Sequence, residues 1–251
     1  MFPMRRASIA LFALAWGIVA GAIAGELKVL SAAAVQVPMT EAAAQFTRDT
    51  GHRITFEFAT AGQVDERLAA GARPDIVVSS SGRIAARTSG NAAEAAAVRD
   101  LGTVRIGVAA RKGAARPDLS SVAKFRDALV RAESVAYGDP ARGATTGIHF
   151  SRIIDQLDLR LVLAPKTMLA ANGLDVVQKV ARGEAELGIT QVSEILHVDA
   201  ASYVGQLPDA LQLATTYSAW VTDPANANAR LLVEAMTNRQ GRERFRAAGF
   251  D

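Results

Sequence analysis

The sequence predicts an α/β fold in which two lobes, each built on a mostly parallel sheet flanked by helices, enclose a ligand cleft. Two observations carry this prediction. Short apolar runs typical of strands alternate with segments whose apolar residues recur at helical spacing. The alternation occurs in two successive series, which are joined without a Pro/Ser-rich linker. The sequence shows no internal repeat. Such alternation favours parallel strands with right-handed crossovers, and small ligands bind in the cleft between two lobes.

The first series begins soon after residue 25. Gly51 ends its first helical pattern, and Pro74 stands at the edge of its last strand. In chain order, the predicted elements are a strand at 27–33, a helix at 37–50, a strand at 54–59, a helix at 64–70 and a strand at 75–79.

The second series starts near residue 103 and continues to the end of the chain. Its predicted strands are 103–110, 134–137, 187–190 and one long or two broken strands over 211–221. Its predicted helices are 122–131, 146–157, 174–181, 227–236 and 242–247.

The two series are predicted to form two lobes packed around a cleft. We assign residues 25–108 and 209–251 to lobe I, and residues 109–208 to lobe II. The chain then crosses between the lobes near 106–109 and near 203–207, where we expect hinges.

Residues 1–24 are predicted to be a cleaved signal peptide. Arg5 and Arg6 precede an apolar run over 7–19, and small residues lie at the positions that signal peptidase reads, so cleavage is expected before Gly25. The alternative, an uncleaved membrane anchor, is disfavoured because Gly17 and Gly21 interrupt the run. Export to the periplasm removes ATP, NAD and other cytosolic cofactors from the expected ligands.

Charge and cysteine content exclude several classes of protein. The chain has a formal net charge of +3, and removing Arg5 and Arg6 with the signal peptide leaves +1. Because the basic residues are dispersed, the sequence predicts no nucleic-acid partner and no membrane-surface binding. The absence of cysteine indicates stability from core packing, and it excludes a lipid-anchored cysteine after the signal.

Catalytic and metal-binding patterns are weak in this sequence. His52, His149 and His197 are isolated from one another and from acidic residues, which argues against a zinc site. The serines at 79–81 follow a predicted strand, as a nucleophile might be placed, yet they lack the G-x-S-x-G pattern. The sequence therefore predicts neither a metal, nor a cofactor, nor catalysis, with serine hydrolysis as the alternative.

The segment 138–147 is the strongest candidate for ligand binding. It joins a predicted strand to a predicted helix and has Gly138 and Gly143 at the spacing of a phosphate loop, but Ala144 stands where that loop needs lysine. What remains is a turn rich in Gly and Thr, whose free backbone N–H groups and helix dipole favour an anion.

Three side chains in this segment offer donors to such an anion. Thr145 and Thr146 supply hydroxyls, and Arg142 supplies a forked guanidinium that suits a carboxylate. The alternative is that the threonines only cap the helix and that Arg142 forms a surface ion pair.

Two earlier strand-to-helix turns have the same character. Ala33 and Ala34 follow the first strand, and Thr60, Ala61 and Gly62 follow the second. Their small side chains let backbone donors approach a ligand closely. Open α/β sheets bind ligands at the carboxyl ends of parallel strands, so we expect these turns to line the cleft.

Six segments together carry a resemblance to a known family. In chain order they are LKVLSAAA at 27–34, ARPDIVVSS at 72–80, GDP at 138–140, TGIH at 146–149, GEAELGI at 183–189 and FRAAGF at 245–250. In this order and spacing, behind a signal peptide, the chain resembles the periplasmic solute-binding proteins of ABC importers. It is most similar to the molybdate-binding branch, which has the type II periplasmic-binding-protein fold.

The resemblance implies positions for the ligand site. The family's two serine hydroxyls fall on Ala34 and near Thr60 or Ala61, its closing tyrosine falls on Gln191, and a backbone donor falls near Gly173. Because Ala34 and Gln191 lack those hydroxyls, two ligand classes stay open. One is a molybdate- or tungstate-type oxyanion, and the other is a small di- or tricarboxylate.

The function that the resemblance implies is capture of a small anion by a monomeric periplasmic protein, followed by delivery to an ABC transporter permease in the inner membrane. Two alternatives remain. The chain could be a periplasmic hydrolase on the same architecture, or it could bind carboxylates on a molybdate-family fold without a role in transport.

Overall fold

The computed structural model describes residues 25–251. The signal peptide expected at 1–24 lies outside these residues. Among the helices of the described part of the chain, none combines the length and the hydrophobicity that a membrane span requires.

Nine strands form the central sheet of this region. They are β1 (Glu26–Ala32), β2 (Arg53–Ala59), β3 (Ile76–Ser80), β4 (Val98–Arg111), β5 (Val135–Gly138), β6 (Thr167–Ala170), β7 (Leu187–Gln191), β8 (Ala201–Gln206) and β9 (Ala214–Val221). Their spatial order is β2-β1-β3-β9-β4-β7-β5-β6, and β8 also pairs with β4.

Helices cover both faces of the sheet. They are α1 (Gln36–Thr50), α2 (Ala61–Ala69), α3 (Ser81–Thr88), α4 (Ala92–Ala96), α5 (Val122–Arg131), α6 (Thr145–Gln156), α7 (Arg160–Leu163), α8 (Gly173–Ala181), α9 (Val192–Ile195), α10 (Ala227–Thr237) and α11 (Arg239–Ala247). Short 3₁₀ turns lie at Ala33–Val35, Pro140–Arg142, Ala164–Lys166 and Asp209–Leu211.

The α/β fold predicted from the sequence is confirmed, and its sheet is more mixed than expected. Strand β1 pairs in parallel with β2 and β3, and β5 pairs in parallel with β6 and β7. Strands β4 and β9 pair only with antiparallel neighbours. Apolar patterning identifies a buried strand but not its direction, so the sequence did not indicate these reversals.

Strand β4 connects the two halves of the sheet. Its residues 98–105 pair with β9, whereas residues 106–111 pair with β7 and β8. We call β1, β2, β3, β9 and the start of β4 the first half-sheet, and the end of β4 with β5 to β8 the second half-sheet. The hinge positions expected at 106–109 and 203–207 fall within β4 and at the end of β8, and hinge motion there stays a prediction.

Each half-sheet has apolar packing on both of its faces. On the first half-sheet, α1, α10 and α11 cover one face and α2 and α3 contribute to the other; the largest buried side chains include Met39, Phe46, Leu232, Met236, Phe245, Val64 and Ile84. On the second half-sheet, α5 and α6 pack on one face and α8 on the other, through Phe125, Leu129, Phe150, Ile153, Val176, Val177 and Val180.

Several helices begin with side-chain caps that also shape the turns facing the cleft. The Thr60 hydroxyl accepts the backbone N–H of Gln63 at 3.2 Å, and the Gln63 amide oxygen accepts the backbone N–H of Thr60 at 3.2 Å. This reciprocal pair fixes the start of α2. The Asn172 side chain likewise accepts the backbone N–H of Asp175 at 2.9 Å and begins α8.

Four strands differ from the sequence prediction. Strand β4 has 14 residues and starts at Val98, well before the expected 103. The short strand β6 and strand β8 were not predicted, because neither has the strict apolar alternation of a half-buried strand. Strand β9 begins at Ala214, since Asp209–Leu211 forms a 3₁₀ turn in place of the first part of the expected strand.

Candidate functional site

A cavity lies where strand ends of both half-sheets meet. Strands β1, β2, β5 and β7 each contribute a residue at or near their carboxyl ends: Ala32, Ala59, Gly138 and Gln191. The carboxyl ends of parallel strands are the usual place for ligands in α/β sheets.

Sixteen residues line the cavity. They are Ala32, Ala33, Ala34, Ala59, Thr60, Ala61, Gly138, Ala144, Thr145, Thr146, Asn172, Gly173, Thr190, Gln191, Glu194 and Tyr217. The volume open to the centres of water-sized molecules is ≈ 40 Å³. This is space for about three water molecules, at roughly 10 to 15 Å³ each. The cleft is therefore nearly closed in this conformation.

The cavity is surrounded by helix N-termini. Ala61 is the first residue of α2, Thr145 is the first residue of α6, and Gly173 is the first residue of α8. The first turn of a helix has backbone N–H groups without intrahelical partners, and its dipole adds partial positive charge. Three such ends around one cavity favour an anionic ligand without any basic side chain.

Eight of the ten residues that the sequence nominated for the site line this cavity. They are Ala33, Ala34, Thr60, Ala61, Thr145, Thr146, Gly173 and Gln191. They come from turns far apart in the sequence, which the topology brings together at one edge. Their roles toward a ligand stay predictions.

The other two nominated residues, Gly62 and Arg142, lie outside the lining and contribute to a contact between the half-sheets. The backbone N–H of Gly62 donates to the carbonyl oxygen of Gly143 at 3.1 Å. The Thr60 hydroxyl donates to the carbonyl oxygen of Arg142. The Arg142 residue itself is exposed, so its guanidinium is not placed as the expected clamp within the cavity.

The contact between Gly62 and Gly143 needs glycine on both sides. A Cβ atom on Gly62 would lie 2.6 Å from the Gly143 Cα, and one on Gly143 would lie 2.5 Å from the Gly62 Cα. Gly143 also has a φ of 69°, in the region that favours glycine. We call these backbone contacts, together with the Thr60 to Arg142 bond, the clasp.

Glu194 is the most important residue that sequence reasoning missed. It is 8 % exposed and lines the cavity. Its Oε2 accepts the Thr190 hydroxyl at 2.5 Å and the backbone N–H of Gln191 at 3.3 Å. Burial raises the pKa of the Glu194 carboxyl to about 6, although both hydrogen bonds lower it. The spacing from Gln191 to Glu194 is that of a capping box, which predicts a helix start but not a carboxyl group in a cavity.

The Glu194 carboxyl lies directly against Gly173. A Cβ atom on Gly173 would be 1.8 Å from Oε2 and 2.3 Å from Oε1 of Glu194. No larger residue fits at position 173 without moving this carboxyl. The N-terminal end of α8, where Gly173 lies, favours the ionised form of a neighbouring carboxyl.

Tyr217 from β9 and Gln191 from β7 join the two half-sheets inside the cavity. The Gln191 amide nitrogen donates to the Tyr217 hydroxyl at 2.9 Å, and the Gln191 amide oxygen is buried without a partner. Burial, and secondarily the negative charge of Glu194, raise the pKa of Tyr217, so its hydroxyl stays protonated. Whichever way the amide is turned, one of its polar atoms is left for a ligand.

The cavity has a distinctive charge distribution. Within the described part of the chain, no lysine or arginine is among the lining residues, and Glu194 and Tyr217 are the titratable ones. A negative group thus stands on one side of a cavity that is otherwise built from neutral donors.

The serines, histidines and acidic residues of 25–251 bear on the hydrolase and metal-site alternatives. The serines at 79–81 are outside the cavity lining, and Ser81 hydrogen-bonds to Ser218 and Asp100, with no histidine among its partners. No group of three or more His, Cys, Asp or Glu residues that could hold a metal occurs in this range.

Comparisons with known proteins agree with the fold. The model of a family described as bacterial extracellular solute-binding protein matches residues 27–251. The chain is similar in fold to the periplasmic molybdate-binding protein of Azotobacter vinelandii, with a TM-score of 0.72 and 20% identity over 90% of this chain and 98% of that one.

Three relatives match in sequence, two of which are molybdate-binding proteins named ModA. An aconitate isomerase of a Pseudomonas species is 36% identical over 203 residues, which are 76% of this chain and 74% of the relative. The molybdate-binding protein ModA of Escherichia coli K12 is 25% identical over 244 residues, which are 95% of this chain and 94% of the relative.

Proposed function

This chain belongs to the bacterial extracellular solute-binding protein family and has a molybdate-binding-protein-like fold, and we propose that it captures a small organic polycarboxylate in its cavity and delivers it to an ABC importer. The observation that carries the choice of ligand is the Glu194 carboxyl inside a cavity of neutral donors.

A bare oxyanion fits this charge distribution poorly. Molybdate concentrates two negative charges on one small tetrahedron, so in this cavity both would lie beside Glu194. Two unit charges 4 Å apart repel each other by about 4 kcal/mol at an effective dielectric constant of 20. Ala34 also lacks a hydroxyl that could compensate for this repulsion.

An organic acid with several carboxylates can separate its charges from Glu194. Its carboxylates would reach the N-termini of α2 and α6, where Ala61, Thr145 and Thr146 lie, while its carbon skeleton would lie against Glu194. The free amide atom of Gln191 would complete the polar contacts. The similarity to an aconitate isomerase supports the same ligand class, because aconitate is an unsaturated tricarboxylate.

Entry of such a ligand requires the cleft to open. The volume of ≈ 40 Å³ that is open to water-sized molecules is too small for a six-carbon acid. We therefore propose that the clasp separates during loading and forms again around the ligand, in the manner of hinge closure.

A thermal-shift screen of residues 25–251 tests the ligand class. The panel contains trans-aconitate, cis-aconitate, citrate, molybdate, tungstate, sulfate and phosphate. A ligand at one hundred times its dissociation constant adds about 2.7 kcal/mol, a shift of several degrees. We expect Thr145→Val, in the cavity, to reduce the shift, and Thr47→Val, exposed on α1, to leave it unchanged. Stabilisation by molybdate and tungstate alone would contradict the proposal.

The proposed transport role has a separate test. Deleting the gene from its host should abolish uptake of the labelled acid at micromolar concentration, and a plasmid copy should restore it. Unchanged uptake in the deletion strain would show that the protein binds the acid without serving an importer.

Isomerisation of an unsaturated acid is the second candidate function. It is favoured by the 36% identical aconitate isomerase and by Glu194, since enzymes use buried carboxyls with raised pKa values for proton transfer. Incubating the purified protein with trans-aconitate and following cis-aconitate by proton NMR tests it directly.

A further inference from the structure

We infer that Glu194 takes a proton from a carbon atom of a bound unsaturated carboxylic acid and returns it to another, moving a double bond of the ligand. This inference rests on the proposed carboxylate ligand and names the residue that would perform the chemistry.

The two oxygens of the Glu194 carboxyl are held differently. Thr190 and the backbone N–H of Gln191 both donate to Oε2. Within residues 25–251, no hydrogen bond reaches Oε1, and this atom is not among the fully buried polar atoms that lack a partner. One oxygen is thus anchored, and the other is left for a ligand in the cavity.

The anchoring gives Glu194 a fixed position for proton transfer. Gly173 lies so close that both carboxyl oxygens fall within 2.3 Å of where a Cβ atom at that position would be. The carboxyl is therefore confined between α8 on one side and Thr190 of β7 on the other. Efficient general acid–base catalysis requires such confinement, together with a pKa near the working pH.

The reaction balances without any further reactant. The Glu194 carboxylate takes the proton from the carbon next to the double bond, and the electron pair of the broken C–H bond forms the new double bond. The electron pair of the old double bond then takes the proton back from Glu194 at the far carbon. Nothing is oxidised or reduced, and Glu194 returns to its ionised form.

The surrounding donors suit the charge that develops in this reaction. When the proton leaves, negative charge spreads into the neighbouring carboxylate of the ligand. Backbone N–H groups at the starts of α2, α6 and α8 surround the cavity and can stabilise that charge, as oxyanion holes do. The donors stand ready before the reaction because secondary structure fixes them.

If Glu194 had only a structural role, its replacement by Gln would leave the reaction rate unchanged. Glu194 is the third residue of α9, and its carboxyl accepts the backbone N–H of Gln191 at the start of that helix, a role that Gln serves equally well. Glu194→Gln preserves shape and capping and removes only the ionisable group. Glu94→Gln is the matched control, because Glu94 occupies the same position after the Asn91 cap of α4 and is only partly buried, outside the cavity.

The experiment incubates residues 25–251 with trans-aconitate in D₂O and follows cis-aconitate and deuterium incorporation by NMR. We expect wild type and Glu94→Gln to convert the acid at equal rates, and Glu194→Gln to be slower by about 100-fold or more. Calorimetry should show that Glu194→Gln still binds trans-aconitate within about tenfold. An undiminished rate in Glu194→Gln would overturn the inference.

The pH dependence of the wild type provides a test that needs no variant. The reaction requires ionised Glu194, so its rate should rise through a midpoint near the carboxyl's pKa of about 6. The other cavity-lining groups near Glu194 are Asn172, Gly173, Thr190, Gln191 and Tyr217, of which only Tyr217 titrates, with a pKa raised by burial. A rate independent of pH between 5 and 7 would contradict the role of Glu194.

The failures of the two proposals are distinguishable. Binding of trans-aconitate without isomerisation or deuterium exchange would overturn this inference and leave the proposed ligand class intact. Absence of binding by every organic acid in the panel would overturn both.

Discussion

The Glu194 carboxyl occupies the space that a side chain at position 173 would need. A Cβ atom on Gly173 would lie 1.8 Å from Oε2 of Glu194. Helix α8 and the turn after β7 are therefore packed against each other through one carboxyl group. This arrangement places an acid at the wall of the cavity.

Gly173→Ala should displace Glu194 and weaken both stability and ligand binding. The carboxyl must move by more than 1 Å, which breaks its bond to Thr190, and overpacking of this kind costs about 1 to 3 kcal/mol. Urea denaturation measures the loss. The double variant Gly173→Ala/Glu194→Ala should be no less stable than Glu194→Ala alone, because the clash is gone. If the losses in unfolding free energy of the two single variants instead add up in the double variant, the clash with Glu194 is not the cause of the Gly173→Ala loss.

Glu194 should make the folded protein less stable as the pH rises from about 4.5 to about 6. Its pKa is about 6 in the folded protein, against an ordinary value of 4.5. The folded state holds the proton more tightly than the unfolded state, so the unfolding free energy decreases as the pH rises through this window. The loss is about 2 kcal/mol, at 1.4 kcal/mol per pH unit of difference.

Denaturant titrations at pH 4 and pH 7 measure this effect. Relative to its value at pH 4, the unfolding free energy at pH 7 should be about 2 kcal/mol higher in Glu194→Gln than in wild type. Equal pH dependence in wild type and Glu194→Gln would mean that the carboxyl titrates normally.

Gly62→Ala should hold the cleft open. The new methyl group would lie 2.6 Å from the Gly143 backbone, so the clasp cannot form as it does here. We expect about tenfold to one-hundredfold weaker ligand binding and a larger radius of gyration with ligand present, measured by small-angle X-ray scattering. Gly82→Ala is the matched control, since Gly82 is likewise the second residue of its helix and has no atom within 4 Å of an added Cβ. Normal closure of Gly62→Ala would refute the clasp.

Arg142→Ala should change ligand affinity by less than about threefold. The exposed position of Arg142 separates its side chain from the cavity, whereas the sequence suggested a carboxylate clamp. A clamp would cost about 2 kcal/mol or more when removed, roughly a thirtyfold loss of affinity. Calorimetry with the best ligand of the panel separates these two results.

The sequence predicted the turns that line the cavity, but it did not predict the Tyr217 hydroxyl and the Glu194 carboxyl there. Thr60 and Thr145 were identifiable because strand-to-helix turns have local signals: a cap, a Gly-rich segment and a change of periodicity. Gly173 was expected only from the family resemblance. Tyr217 lies inside an apolar strand, and only the antiparallel pairing of β9 brings it to Gln191. No local pattern encodes that pairing.

The position of Glu194 in the cavity is likewise not encoded by a local sequence pattern. Its capping-box spacing indicates a helix start, and charged residues at such positions usually face solvent. Only the packing of α8 against this turn, which Gly173 permits, encloses the carboxyl in the cavity. The resemblance left two classes of ligand open, whereas the packing of Glu194 supplies the reason to propose one of them.

Titration calorimetry of trans-aconitate and of molybdate, with wild type and with Glu194→Gln, determines whether the charge of Glu194 selects the ligand. Wild type should bind trans-aconitate and not molybdate, and Glu194→Gln should gain at least about tenfold in molybdate affinity, because the repulsive charge has been removed. Tighter binding of molybdate than of any organic acid by wild type, unchanged in Glu194→Gln, would contradict the account.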